Sequence, residues 1–167
     1  YLRIIRFIRF NIMYDSKVEE MTLSIIKQNL NGIKKISKER VLTELFKILD
    51  LKNFIYLNEN LQIKEIFILI FPEFTNLMRL ERLIKICDNS QIDRVLILAA
   101  LLIDEKDSHE YFGHKYNISN TIKANLDLYA RNLRAIGDNK DFFHKDLEKN
   151  IYHNDKKHLI DLNILNF

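Results

Sequence analysis

The sequence predicts an all-α protein, and three observations carry that prediction. Gly (3) and Pro (1) are nearly absent from the 167 residues, whereas sheet-rich folds spend both on tight turns. Apolar residues recur at i, i+3, i+4 and i+7 along most of the chain, the period of an amphipathic helix. Ser, Thr, Asp or Asn stands ahead of most of these stripes, where helix N-caps sit. With 47% hydrophobic and 29% charged residues, the chain can bury a core.

Residues 1–14, YLRIIRFIRFNIMY, predict the first helix. Arg3, Arg6 and Arg9 share one arc of the wheel, and Leu2, Ile4, Ile5, Phe7, Ile8 and Ile12 cover most of the rest. A helix apolar nearly all round needs cover on more than one side, from upstream residues or from a partner. Phe7 and Phe10 are expected in the core. A second helix covers 15–30, with Asp15 or Ser16 as cap and Glu19 and Glu20 in the first turn, where the helix dipole favours acids. Asn31-Gly32 ends it. Ser37 caps a helix over 38–50 whose stripe is Val41, Leu42, Leu45, Phe46 and Leu49.

Two shorter apolar patterns follow, 52–58 and 61–70, and Phe71-Pro72 breaks the second. Thr75 caps a helix over 76–88. Ser90, with Asp93 at capping-box spacing, opens the next, which runs through VLILAALLI to Ile103. That run is far too short to span a bilayer and reads as a buried core helix. Asp107 and Glu110 repeat the capping-box spacing before a short helix. Ser119 opens a long one through Arg134, closed by Gly137. Residues 139–152 read as helical, and the weakly patterned last dozen are expected to fray.

Several function classes have no residues to support them. There is no glycine-rich phosphate loop, no GxSxG and no HExxH. The single Cys87 excludes an internal disulfide and cysteine-based zinc sites, and reads as a buried, inert thiol in a reducing cytoplasm. His109 and His114 flank Glu110, but an i, i+5 spacing does not put two imidazoles on one helical face, so no metal site is expected. His144, His153 and His158 are expected at the surface. No internal repeat marks a solenoid. The net charge of +3 is unevenly spread: residues 1–48 hold ten Lys or Arg against five Asp or Glu. Any polyanion-binding surface is therefore expected towards the N-terminal end, the alternative being a solvated basic face.

The basic residues there interleave with aromatics: Arg3, Phe7 and Phe10, then Lys34, Lys35, Lys38 and Arg40. Two blocks carry a resemblance. LRIIRFIRF supplies Leu2, Arg3, Arg6, Phe7, Arg9 and Phe10, and ISKERVLTEL supplies Ser37, Glu39, Arg40, Glu44 and Leu45. In this order and separation they resemble the neck of class II tRNA nucleotidyltransferases (CCA-adding enzymes) and the related bacterial poly(A) polymerases. FPEF at 71–74 and the Leu80–Leu83 stripe are consistent with the body that follows the neck.

The resemblance implies a multi-helix neck-and-body array: neck helices over 1–51, a helical body over 52–137, and a partly frayed helical tail over 138–167. Arg3 corresponds to the Arg of a Glu-Asp-x-x-Arg motif whose acidic pair would precede Tyr1. The catalytic head is then expected to lie outside this chain. Arg3 inherits the role of reading the Watson–Crick edge of the incoming base, for which a guanidinium fork is suited. Arg6, Arg9, Lys34, Lys35, Lys38, Glu39 and Arg40 are implied as supporting or RNA-binding residues. No catalytic residue, metal ligand or cofactor is assigned to this chain; Mg²⁺ with CTP or ATP belongs to the full enzyme. The implied partners are tRNA or another RNA, a nucleoside triphosphate, and a head domain or separate chain docking on residues 1–14, with no membrane. CCA addition and poly(A) addition are not distinguished. The alternative is a non-catalytic helical interaction module, or the remnant of a split nucleotidyltransferase.

Overall fold

The computed structural model describes residues 1–86, 92–139, 141–153 and 155–166. Among them the chain forms α1 (Leu2–Tyr14), α2 (Glu20–Asn29), a 3₁₀ segment (Leu30–Lys35), α3 (Lys38–Leu49), a second 3₁₀ segment (Lys52–Glu59), α4 (Leu61–Ile70), α5 (Arg79–Ile86), α6 (Arg94–Leu102), α7 (Ser108–Tyr116), α8 (Asn120–Asp138), α9 (Leu147–His153) and α10 (Lys156–Leu165). No strand occurs among the described residues, in agreement with the all-α expectation. None of their helices is long and apolar enough to cross a membrane.

The VLILAALLI run becomes α6, and everything from Leu96 to Leu102 is buried. A helix with no polar face must be surrounded. α6 is packed by α3, α5, α7, α8 and α10. Asp93 begins it, its side chain accepting from the Val95 N–H at 2.7 Å. The expected cap Ser90, like Cys87, lies outside the described residues. At the other end Arg79 donates to the carbonyls of Ala100 and Ile103 at 2.9 and 2.7 Å, satisfying two acceptors in the last turn.

A second packing centre is aromatic. Phe67 of α4 lies 5.1 to 5.5 Å, ring centre to ring centre, from Phe54, Phe71 and Phe74. Phe74 continues to Phe112, and Phe112 to Tyr116, both on α7. The FPEF break thus turns the chain and also plugs the space between α4 and α7. Glu73, in the same turn, is buried and holds Lys115.

Four local expectations are corrected. α2 begins only at Glu20; Asp15, in the left-handed conformation (φ 46°), instead ends α1. α5 begins at Arg79 rather than just after Thr75, because turns carry the chain through residues 76–78. The capping work ahead of α7 is done by Asp104, which accepts from the N–H groups of Lys106 and Ser108 and the Ser108 hydroxyl. Asp107 sits at φ 56° and makes no capping bond with its side chain. Residues 156–165, expected to fray, form α10, which packs on α6 and α8 and buries Leu159, Leu162 and Leu165.

Candidate nucleic-acid interface

α1 lies across α3, α4 and the second 3₁₀ segment. Its buried stripe is Ile4, Ile5, Ile8, Asn11 and Ile12. The apolar flanks of this helix are therefore covered by the fold itself on one side. On the opposite side Arg3, Arg6, Phe10, Met13 and Tyr14 are exposed. Phe7 is half-buried, but Phe10 is not the core residue that its apolar character suggests: it is 46% exposed.

Beneath α1 sits Glu44 of α3, only 2% exposed. Its Oε1 accepts from Arg6 Nε at 3.2 Å and from Lys47 Nζ at 3.3 Å, and its Oε2 lies 3.3 Å from an Arg9 terminal nitrogen. Burial pushes this carboxyl up, but hydrogen bonds from Lys47 and Arg6 and the charges of Arg9 and Lys47 outweigh it and hold it below the ordinary value. Arg9 also lies over the Phe10 ring at 5.0 Å. Arg6 and Arg9 thus brace α1 on α3. Arg6 uses Nε for that, which leaves the outer edge of its guanidinium half-exposed.

Arg3 stands apart from this cluster. It is exposed and makes no hydrogen bond or ion pair among the described residues. The Tyr1 ring just before it lies on the backbone of Gly32, so close that a Cβ there would overlap it. The start of α1 is therefore seated on the 3₁₀ turn that carries Lys34 and Lys35. Lys34 and Lys35, then Lys38 and Arg40 in the first turn of α3, are exposed and likewise unpaired among the described residues. Glu39 is exposed, and its backbone carbonyl accepts from the Thr43 hydroxyl at 2.7 Å. Ser37 occupies the N-cap of α3 without a side-chain capping bond.

The arrangement is a basic turn packed against the opening of a helix that shows guanidinium groups and rings to solvent. Such a surface suits a polyanion with flat faces. Residues 17–78 match the family model described as the probable RNA and SrmB-binding site of polymerase A. The matched segment runs from the approach to α2 to the residue before α5, and it contains Glu44 and the whole basic run from Lys34 to Arg40. The match supports a relation of this segment to the poly(A) polymerase family. No curated protein and no solved structure gave a match.

Among the described residues, no group that could hold Mg²⁺ is gathered at this surface. Among the described residues one group of three, Asp107, His109 and Glu110, brings its ligand atoms within 4.8 Å of one another. Asp107 is already held by Arg134, and His109 offers nitrogen where Mg²⁺ asks for oxygen. These residues do not fit that ion. His158 also departs from expectation: it is half-buried, stacked on Tyr129 at 4.7 Å, and 2.8 Å from Asn132 Nδ2. Burial pushes its imidazole below the ordinary value.

Proposed function

We propose that this chain is the RNA-binding helical region of a nucleotidyltransferase that adds C and A, or A alone, to RNA 3′ ends. The observation that carries the reading is the match of residues 17–78 to the RNA-binding site of polymerase A. The exposed run of Lys34, Lys35, Lys38 and Arg40 within the matched segment supports it, because unpaired cations release counterions when they meet phosphate. In this reading Arg3 faces the incoming nucleobase at the start of α1. A head domain or separate chain then meets α1 and contributes the carboxylates that hold Mg²⁺ with CTP or ATP. The residues described here bind and orient RNA and carry out no bond-making step.

The test is binding of labelled RNA at two salt concentrations. Four phosphate contacts to a single strand predict a log–log slope near −2.8, hence a loss of about 50-fold between 50 and 200 mM salt. Lys34→Glu/Lys35→Glu should flatten that slope. Binding that is absent, or indifferent to salt, overturns the RNA reading.

A further inference from the structure

The outward face of α1 carries a regular series that neither the fold nor the family match explains. Arg3, Arg6, Phe10 and Tyr14 recur at i, i+3, i+7 and i+11, which places them on one stripe along the helix. The stripe is opposite the buried Ile4, Ile5, Ile8 and Ile12. Phe10 and Tyr14 are nearly parallel, with an interplanar angle of 11° and ring centres 6.3 Å apart. They stay 46% and 68% exposed, so folding gains little from holding them in register. Arg9, itself fixed by Glu44, lies over Phe10 and limits the motion of that ring.

We infer that this stripe is a stacking platform for single-stranded RNA. Bases lie on the faces of Phe10 and Tyr14, a phosphate meets the outer edge of the Arg6 guanidinium, and Arg3 stays at the head of the stripe for the incoming nucleobase. The inference rests on the RNA reading above and deepens it by naming the strand state and the residues. Charge complementarity selects the occupant: Arg9 lies over the Phe10 ring, Arg6 stands one turn before it, and Glu44, the acid that pairs with both, is buried beneath the helix, leaving Asp15 after Tyr14 as the one exposed acid beside the stripe in sequence. A duplex hides its base faces inside the stack and cannot use exposed rings this way, whereas every unpaired base presents a π-face.

The experiment compares a fluorescein-labelled twelve-nucleotide oligoadenylate with a blunt twelve-base-pair RNA duplex on the full chain. Phe10→Ala/Tyr14→Ala should weaken oligoadenylate binding by about 30-fold, as expected for two lost stacking contacts, with duplex binding and the salt slope unchanged. Both side chains point to solvent, so the melting temperature should hold. The chain has no Trp, so Tyr14→Trp introduces a single fluorophore. Its emission should be quenched by oligoadenylate, while Tyr111→Trp, on α7 and at a site 62% exposed, should stay bright. Oligoadenylate affinity within twofold of wild type in the Ala variant, or an unquenched Tyr14→Trp, overturns the platform. If Lys34→Glu/Lys35→Glu still weakens binding in that case, the RNA reading survives. Binding of neither RNA overturns both. A solution mass of twice 20.1 kDa that the Ala variant returns to one copy assigns the stripe to self-association and also overturns the platform.

Discussion

Glu44→Gln tests how α1 is held. The carboxylate is buried and faces three cations, each near 3.3 Å. At an effective dielectric near 20, each such pair is worth about 4 kcal/mol before costs. Taking the carboxylate out of water costs several kcal/mol, and the half-exposed Arg6 and Lys47 keep part of their solvation, so most of that attraction is offset. Glutamine keeps the shape and one acceptor but not the charge that strengthens these bonds. The expected net loss is about 2 kcal/mol. In a chain of this size that is a fall in melting temperature of about 4–8 °C at pH 7. The pH dependence carries a definite sign. A carboxyl held below its unfolded value of 4.5 contributes stability above that pH, and the contribution is lost as pH falls through the folded value. Wild type and Glu44→Gln should therefore differ at pH 7 and converge towards pH 3. RNA binding should move the other way. With Glu44 neutral, Arg6 and Arg9 are freed from their acid, so affinity should rise and the salt slope steepen by about 0.7 for one added phosphate contact. Melting curves at pH 7 and pH 3 read the first claim. An unchanged melting temperature at pH 7, or a gap undiminished at pH 3, refutes the reasoning.

Other positions give independent outcomes. Phe67→Ala empties the middle of the ring cluster formed with Phe54, Phe71 and Phe74 and should cost about 3–5 kcal/mol in urea unfolding. Tyr129→Phe removes the donor that Asp161 receives at 2.7 Å in a buried site, with an expected loss of about 1–3 kcal/mol by the same measurement. His158, with its imidazole pushed down by burial, binds a proton more readily in the unfolded chain, so stability should fall as pH drops below about 6.5. His158→Gln should flatten that part of the melting-temperature profile. Arg3→Ala should leave the melting temperature unchanged while weakening RNA binding, because Arg3 braces nothing in the fold.

Helix periodicity and breaks were legible because one residue type settles each of them. Phe71-Pro72 ends α4 whatever surrounds it, and VLILAALLI has no polar face to leave in water. Caps were less legible, since Asp104 and Asp107 both stand ahead of α7 and only the loop's path decides which one reaches the free N–H groups. α1 was ambiguous for a different reason. A helix apolar around most of its circumference does not say which arc faces inward, so Phe10 and Ile8 look equivalent until α3 and α4 take their places. Glu44 carried a usable signal: it falls within the apolar stripe of Val41, Leu45 and Ile48, where an acid must bring its own cations. Lys47, at i+3, is one of them; Arg6 and Arg9 are the others, 38 and 35 residues earlier in the chain, and no local pattern links those two to Glu44. The same ion pairs that make the basic end of the molecule look less available to RNA also fix the pitch of α1. By holding that helix against α3, they leave Arg3 and the two rings as its outward edge. The charge that binds α1 to the fold is therefore that of Arg9 and the inner edge of Arg6, and the charge left for a ligand is that of Arg3 and the outer edge of Arg6.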